Sequence, residues 1–269
     1  MALLLDQQTV NNFQNDGVTV LRGLFSEWIA ELRAGVDLNM AEPNPDARIY
    51  QNDQAGGRFF VDYCSWQRIP QYREFIYKSP IARIAAQLML SDKVQLFHEH
   101  VLVKEPQTNI ATPWHHDMPY YCASGPKTIS LWLPLDGVPR ERTLEFIAGS
   151  HLWGKHYRPQ RFNGQPVNEN DNLEDIPNID SHRENYNIVG WDLEPGDAVA
   201  FDYRTIHGAP ANLSNTSQRR AFSLRLLGDG AHFVRREGLT TSPPFNQVTL
   251  QDGDDLSGEE FPILYEKYK

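Results

Sequence analysis

The segment Thr112-Pro113-Trp114-His115-His116-Asp117 places a histidine and a carboxylate one residue apart. On an extended strand, side chains at i and i+2 share a face. His115 and Asp117 can therefore offer a nitrogen and an oxygen to one metal ion, while His116 points the other way. So short a motif arises by chance in a chain with 9 histidines, and its weight depends on its company. That company is His207, which closes the run Ala198-Val199-Ala200-Phe201-Asp202-Tyr203-Arg204-Thr205-Ile206-His207, and Arg219, which opens Arg219-Arg220-Ala221-Phe222-Ser223-Leu224-Arg225. Two histidines and a carboxylate can hold Fe(II) from one side and leave about three coordination positions open, enough for a bidentate cosubstrate and O2. The planar fork of an arginine suits the remote carboxylate of a dicarboxylic 2-oxo acid.

Positioning such residues is a task for strands. The runs Val94–Val103, Thr128–Leu135, Thr143–Ile147, Ala198–Tyr203 and Ala221–Leu227 are short and rich in β-branched, aromatic or leucine residues, and Gly, Pro, Asn and Asp separate them. They predict an antiparallel sandwich or jelly roll, in which neighbouring strands bring His207 and Arg219 to one cavity. The chain before Val94 reads as helical. Ser79-Pro80 ahead of Ile81, Ile84, Ala85 and Leu88 predicts a helix start followed by one buried face, and looser apolar spacing predicts helices at Asp6 to Phe13 and Trp28 to Val36. Between Trp153 and Tyr186 lies a polar stretch too long for a hairpin, which predicts a surface excursion placed to act as a lid.

Composition narrows the function classes. Of 269 residues, 40% are hydrophobic and 11% aromatic, enough for a sizeable core and too many for a disordered chain. With 25 Lys+Arg against 35 Asp+Glu the net charge is −10, which argues against a nucleic-acid partner. Leu3-Leu4-Leu5 has no basic flank and no cleavage site, and no apolar run is long enough to span a bilayer, so neither secretion nor membrane association is expected. Cys64 and Cys122, only 2 cysteines in all, fit a reducing cytoplasm, and the Asn212-Leu213-Ser214 and Asn215-Thr216-Ser217 triplets read as polar turns.

The ordered set Trp114-His115-His116-Asp117, Trp132, Ala148-Gly149-Ser150-His151, Gly196-Asp197, His207-Gly208 with Asn212, and Arg219-Arg220-Ala221 resembles the phytanoyl-CoA dioxygenase family of Fe(II)/2-oxoglutarate oxygenases. The stretch Phe13-Gln14-Asn15-Asp16-Gly17-Val18-Thr19-Val20-Leu21-Arg22-Gly23 is similar to that family's opening, so the likeness spans nearly the whole chain. The resemblance implies a mainly β, double-stranded β-helix (a cupin-like jelly roll) with an N-terminal helical elaboration. We expect one oxygenase domain over 1–269, with helical support at 1–92, a jelly-roll core at 93–230 and a C-terminal extension at 231–269. It further implies His115, Asp117 and His207 as iron ligands, Arg219 as the partner of the 2-oxoglutarate C5 carboxylate, and Trp132 in the cosubstrate pocket wall, with no catalytic residue beyond the metal ligands. The implied cofactors are Fe(II), 2-oxoglutarate and O2. The implied activity is hydroxylation of an unactivated C–H bond in a small organic molecule, with release of succinate and CO2.

Asp117 bears on the outcome, because halogenating enzymes that resemble this scaffold carry a small residue in place of the carboxylate and so free a position for halide; Asp117 blocks that position. Where many relatives have an acidic residue or Asn followed by Gly, this chain has Arg140-Glu141-Arg142-Thr143. Arg219 is preferred over its neighbour Arg220, since Phe222 and Leu224 place Arg220 on an apolar strand face. His151, Lys155, His156, Arg158 and Arg161 read as a solvated group with the option of meeting an anionic substrate, and His98 and His100 share a strand face as core or pocket histidines. The competing reading is a non-oxidative metal-binding cupin acting as a small-ligand sensor or structural module. Arg219 distinguishes the two, because a plain metal site has no use for a cation at the cosubstrate position.

Overall fold

A computed structural model describes residues 4–51, 56–168, 172–236 and 239–268. Leu3 of the leucine run, positions 169–171 of the 153–186 excursion, and positions 237, 238 and 269 of the C-terminal extension lie outside the described residues. Four helices, α1 (Gln7–Asp16), α2 (Ile29–Ala41), α3 (Pro70–Lys78) and α4 (Ile81–Met89), all precede residue 93. The strands are β1 (Val18–Leu21), β2 (Arg48–Tyr50), β3 (Phe59–Tyr63), β4 (Lys93–Lys104), β5 (Thr112–His115), β6 (Ala123–Ser124), β7 (Thr128–Pro134), β8 (Glu145–Ile147), β9 (Ile188–Val189), β10 (Ala198–Phe201), β11 (His207–Ala209), β12 (Arg219–Leu227), β13 (His232–Phe233) and β14 (Ile263–Glu266). The large sheet runs β1-β10-β7-β12-β4-β3-β2 with β14 also paired to β4, the small sheet runs β5-β11-β8-β9, and β13 pairs with β6. All of these pairings are antiparallel, as the alternating strand pattern requires. The mainly β jelly-roll architecture with N-terminal helices is the one the sequence predicts.

Alternation on the large sheet sorts structure from site. Ile129, Leu131 and Leu133 of β7 and Phe222, Leu224 and Leu226 of β12 join Ile81, Ile84, Ala85 and Leu88 of α4 in one core between sheet and helices. Each fully buried Leu, Ile or Phe side chain contributes about 1.5–3 kcal/mol. The opposite face carries Ser130 and Trp132 of β7 and Arg219, Ala221 and Arg225 of β12, turned toward the small sheet. In β4, Val101 and Val103 join the helix-side core, and so do Val94 and Leu96 despite their opposite parity. A bulge opposite Arg225/Leu226 absorbs the extra residue, so that His98, His100, Leu102 and Lys104 stay on the cavity side.

Two local expectations are corrected. Before residue 93 the chain contributes strands as well as helices: β1 closes one edge of the large sheet on β10, while β2 and β3 extend the other beyond β4. Val18-Thr19-Val20-Leu21 and the aromatic run at Phe59 are strand sequences whose partners lie far along the chain. Ser79 is not the N-cap of α4; it closes α3, and Pro80 occupies the cap position.

Gly17 ties the N-terminus to the site. It ends α1 at φ 71°, its carbonyl accepts hydrogen bonds from Asp202 N–H at 2.9 Å and Thr205 Oγ1 at 2.7 Å, and a Cβ there would lie 2.4 Å from His151 Nδ1. The turn that delivers His207 is thereby anchored on an element nearly two hundred positions earlier (|i−j| = 188).

Glu99, on the helix side of β4, is wholly buried, and its Oε1 accepts Ser65 N–H. Burial pushes its carboxyl up to about 7, against the opposing pull of the backbone amides. The unfolded chain ionises near 4.5, so between those values the folded state holds the extra proton and stability falls as pH rises through the window, levelling above it. Glu99→Gln should therefore gain in thermal unfolding midpoint relative to the parent protein between about pH 5 and about pH 8. A difference that stays constant across that range would contradict the assignment.

Candidate active site

His115 is the last residue of β5 and pairs with His207, the first of β11, so the small sheet itself sets the two imidazoles side by side with ring centroids 4.2 Å apart. Asp117 does not continue the strand. The backbone turns to φ −71°, ψ −34° there and enters a short 3-10 turn at Met118–Tyr120, which swings the carboxylate back toward the histidines. His207 likewise does not end the Ala198–Tyr203 run; β10 stops at Phe201, and a turn carries the chain across to the other sheet. Asp117 Oδ1 lies 3.8 Å from His115 Nε2 and 4.0 Å from His207 Nε2. One ligand atom from each of the three residues lies within 4.8 Å of the others.

The donor set fits a divalent transition metal. His115 Nδ1 donates to Pro113 O at 2.8 Å and His207 Nδ1 to Thr205 O at 3.0 Å, which leaves the Nε2 lone pairs facing the centre. Burial holds both rings neutral, and His207, beside His115, is pushed down to about 3. Asp117 is buried, which by itself would raise its pKa. The neighbouring Arg225 guanidinium and a 2.9 Å hydrogen bond from Ser130 Oγ outweigh that and hold the carboxyl below its usual range. Neutral imidazoles and an ionised carboxylate are the forms that bind a metal.

One large cavity runs past this cluster. At one end stand Arg219, Lys104 and Trp132. Arg219 and Lys104 are cross-strand partners, both buried. Arg219 donates to the carbonyls of Arg142 and Pro210, and Lys104 Nζ donates to Thr112 Oγ1 at 3.2 Å and Pro210 O at 3.3 Å. Neither makes an ion pair among the described residues. Burial and the neighbouring Arg219 push Lys104 well below its usual pKa, and burial, with Arg142 nearby, brings Arg219 down to about 10. A buried guanidinium with a buried amine opposite it, neither paired to a carboxylate among the described residues, makes an anion site, and an arriving carboxylate favours the protonated form of Lys104.

The other end is built from Arg225, His98, His100 and Tyr121, while part of the excursion packs beside the Lys104 end, where Phe59 is the cross-strand partner of Lys104. Phe162 packs edge-on against Phe59 at 4.8 Å and Tyr50 at 5.3 Å, and Tyr120 OH exchanges hydrogen bonds with Gln160. Gln160, Arg161, Phe162 and Val167 line the cavity, so part of the polar 153–186 stretch contributes to its wall.

The structure brings His115, Asp117, His207, Arg219 and Trp132 to one cavity. His116 faces away and accepts Tyr157 N–H at 2.9 Å. Arg220 is bound outside by Asp136 at 2.7 Å, so Arg219 is the arginine that turns inward. Of the basic cluster near residue 155, Lys155 pairs with Glu174 and Arg158 with Asp175, and Arg161 alone reaches the cavity. Sequence reasoning missed Lys104. Its signal was parity: it shares the face of His98, His100 and Leu102 and lies opposite Arg219.

A jelly roll with this cluster and a buried anion site defines the class of non-haem Fe(II)/2-oxoglutarate oxygenases. The family profile for phytanoyl-CoA dioxygenase (PhyH) matches residues 13–221, and the chain belongs to that family. Among solved structures, it is similar to the non-haem α-ketoglutarate-dependent carbocyclase SnoK from nogalamycin biosynthesis, at 23% identity and a TM-score of 0.75 over 97% of this chain and 96% of that one. The epimerase SnoN of the same biosynthesis gives 22% and 0.74 over 96% and 98%. EctD from S. alaskensis, solved with 2-oxoglutarate and 5-hydroxyectoine, gives 19% and 0.69 over 94% and 86%. These likenesses show a shared fold. No curated protein matches this sequence.

His115 and Asp117 differ in what their removal should cost. The His115 side chain is 19% exposed, whereas Asp117 is 4% exposed and lies 3.7 Å from the buried Arg225. Both His115→Ala and Asp117→Ala should lose at least about tenfold in Fe(II) affinity under anaerobic titration. Only Asp117→Ala should also lose about 3 kcal/mol or more of stability in urea unfolding, because it strands a buried guanidinium. Unaltered Fe(II) affinity in either variant would refute the assignment.

Proposed function

We propose that this protein is an Fe(II)- and 2-oxoglutarate-dependent hydroxylase of a small organic molecule. In this reading His115, Asp117 and His207 hold the iron, Arg219 with Lys104 takes the C5 carboxylate of 2-oxoglutarate, and Trp132 forms part of the wall beside it. The observation that carries the reading is the pairing, in one cavity, of a three-residue metal cluster with buried Arg219 and Lys104, neither of which makes an ion pair among the described residues. A non-oxidative metal cupin would bear the cost of burying those groups for no ligand.

When bound, iron and 2-oxoglutarate together supply the activation of O2, and the overall reaction converts substrate C–H, 2-oxoglutarate and O2 to C–OH, succinate and CO2. The chain's own residues orient and exclude. Arg219 is preset by two backbone carbonyls, so little side-chain freedom is lost when a carboxylate arrives. Trp132, Phe146 and Phe201 keep water from the His207 side, where Phe201 packs on the ring at 4.5 Å and Phe146 stacks at 5.6 Å. The residues from 1 to 269 act as one oxygenase domain, with 1–92 supporting, 93–230 forming the core and 231–269 extending it, and a reducing cytoplasm suits the free Cys64 and Cys122.

Two measurements test this. Anaerobic Fe(II) and 2-oxoglutarate together should give a visible charge-transfer band, and turnover of the native substrate should yield succinate with one oxygen atom from heavy-isotope O2 in the product. Product of unchanged mass would point to epimerisation, and loss of two hydrogens to ring closure or desaturation. Arg219→Ala should raise the apparent KM for 2-oxoglutarate about 10- to 100-fold, as expected for a lost charged hydrogen-bond pair, while Arg220→Ala stays close to the parent. Equal effects of the two substitutions would move the carboxylate site elsewhere.

A further inference from the structure

The end of the cavity away from Arg219 holds polar atoms that the proposed chemistry does not use. Arg225 is buried; its Nε donates to Tyr121 OH at 3.0 Å and its Nη2 lies 3.7 Å from Asp117 Oδ2, but its Nη1 has no partner. His98, its cross-strand neighbour, is 2% exposed, with Nδ1 against its neighbour Glu99 O at 3.0 Å and Nε2 unpartnered. His100 Nε2 is unpartnered as well. All three side chains line the cavity. An orphaned buried donor or acceptor is costly, and three at one place call for a ligand.

The chemistry of the pair is specific. The Glu99 carbonyl can only accept, so the His98 proton sits on Nδ1. Burial and the adjacent Arg225 keep the ring neutral, and Nε2 therefore presents a lone pair. Arg225 Nη1 can only donate. A donor and an acceptor side by side fit a group that accepts and donates together, as a hydroxyl does. A carboxylate would meet the His98 lone pair and the Asp117 charge, an ammonium would be repelled by Arg225, and a hydrocarbon would leave both atoms unpaired. The surroundings are aromatic: Tyr121 lies edge-on to His98 at 5.2 Å, and Tyr63 edge-on to His98 at 6.4 Å and His100 at 5.9 Å.

We infer that Arg225 and His98, with His100 beside them, form a primary-substrate subsite that binds an alcohol or phenol hydroxyl carried on an apolar, ring-bearing body. This rests on the functional reading above and narrows its substrate class. The hydroxyl accepts from Arg225 Nη1–H and donates to His98 Nε2, while the ring lies among Tyr63 and Tyr121. Because Arg225 also neighbours Asp117, the docked hydroxyl fixes the substrate relative to the metal cluster.

The test uses the full chain loaded anaerobically with Fe(II) and 2-oxoglutarate, with naphthol, methoxynaphthalene and methylnaphthalene as binding probes. Naphthol should bind at least about tenfold more tightly than methylnaphthalene, and methoxynaphthalene, which accepts but cannot donate, should fall short of naphthol. His98→Phe keeps an aromatic ring but removes the acceptor, and should erase the preference. His98→Gln restores a carbonyl acceptor and should recover part of it. The charge-transfer band should be the same in all three proteins. Equal binding of the probes by the parent protein, or an intact preference in His98→Phe, overturns the inference while leaving the oxygenase reading in place. A parent protein without the band overturns both.

Discussion

The site depends on keeping one carboxylate ionised in a place water barely reaches. Asp117 is buried, and desolvation alone would protonate it. It stays charged because Arg225 and the Ser130 hydroxyl stand beside it, and the two imidazoles complete the cluster; these four residues come from different parts of the jelly roll: β12, β7, β5 and β11. The two sheets must close at the right separation for these contacts to exist together. The N-terminal segment contributes to that closure, because Gly17 pins the turn before His207 and its carbonyl takes two hydrogen bonds from that turn. Stability and metal competence are therefore the same problem here, since an apo cavity with Asp117 removed holds an unpaired guanidinium.

Charge in the cavity is unbalanced on purpose of ligand. The chain carries a net charge of −10, yet among the described residues Arg48, Lys104, Arg161, Arg219 and Arg225 line the cavity against Asp117 as the one carboxylate. Arg225 is offset by Asp117, and neither Lys104 nor Arg219 pairs with a carboxylate among the described residues. A divalent metal adds further positive charge, so the cavity favours an anionic ligand.

The sequence was most informative where chemistry and periodicity coincide. His115, Asp117, His207 and Arg219 are found from residue type and order, and the strands β4, β7 and β12 from β-branched and apolar runs. Asp117 reaches the metal cluster through a turn after β5 rather than along a strand face, a route that strand parity does not encode. The bulge in β4 is another case: counting by two from Leu96 places His98 on the wrong side, and only the pairing with β12 shows where the count slips. Lys104 and the strands before residue 93 were hidden because their meaning lies in partners far along the chain, Arg219 for the lysine and β10 or β4 for the strands. Local pattern carries no information about such pairings.

The most direct measurement is a crystal structure of the protein grown anaerobically with Mn(II), a redox-quiet stand-in for Fe(II), and 2-oxoglutarate. The account predicts one anomalous peak bonded to His115 Nε2, His207 Nε2 and Asp117 Oδ1. It also predicts a dicarboxylate whose far end lies between Arg219 and Lys104. A metal bound elsewhere, or a dicarboxylate whose far end turns toward Arg225, would contradict it.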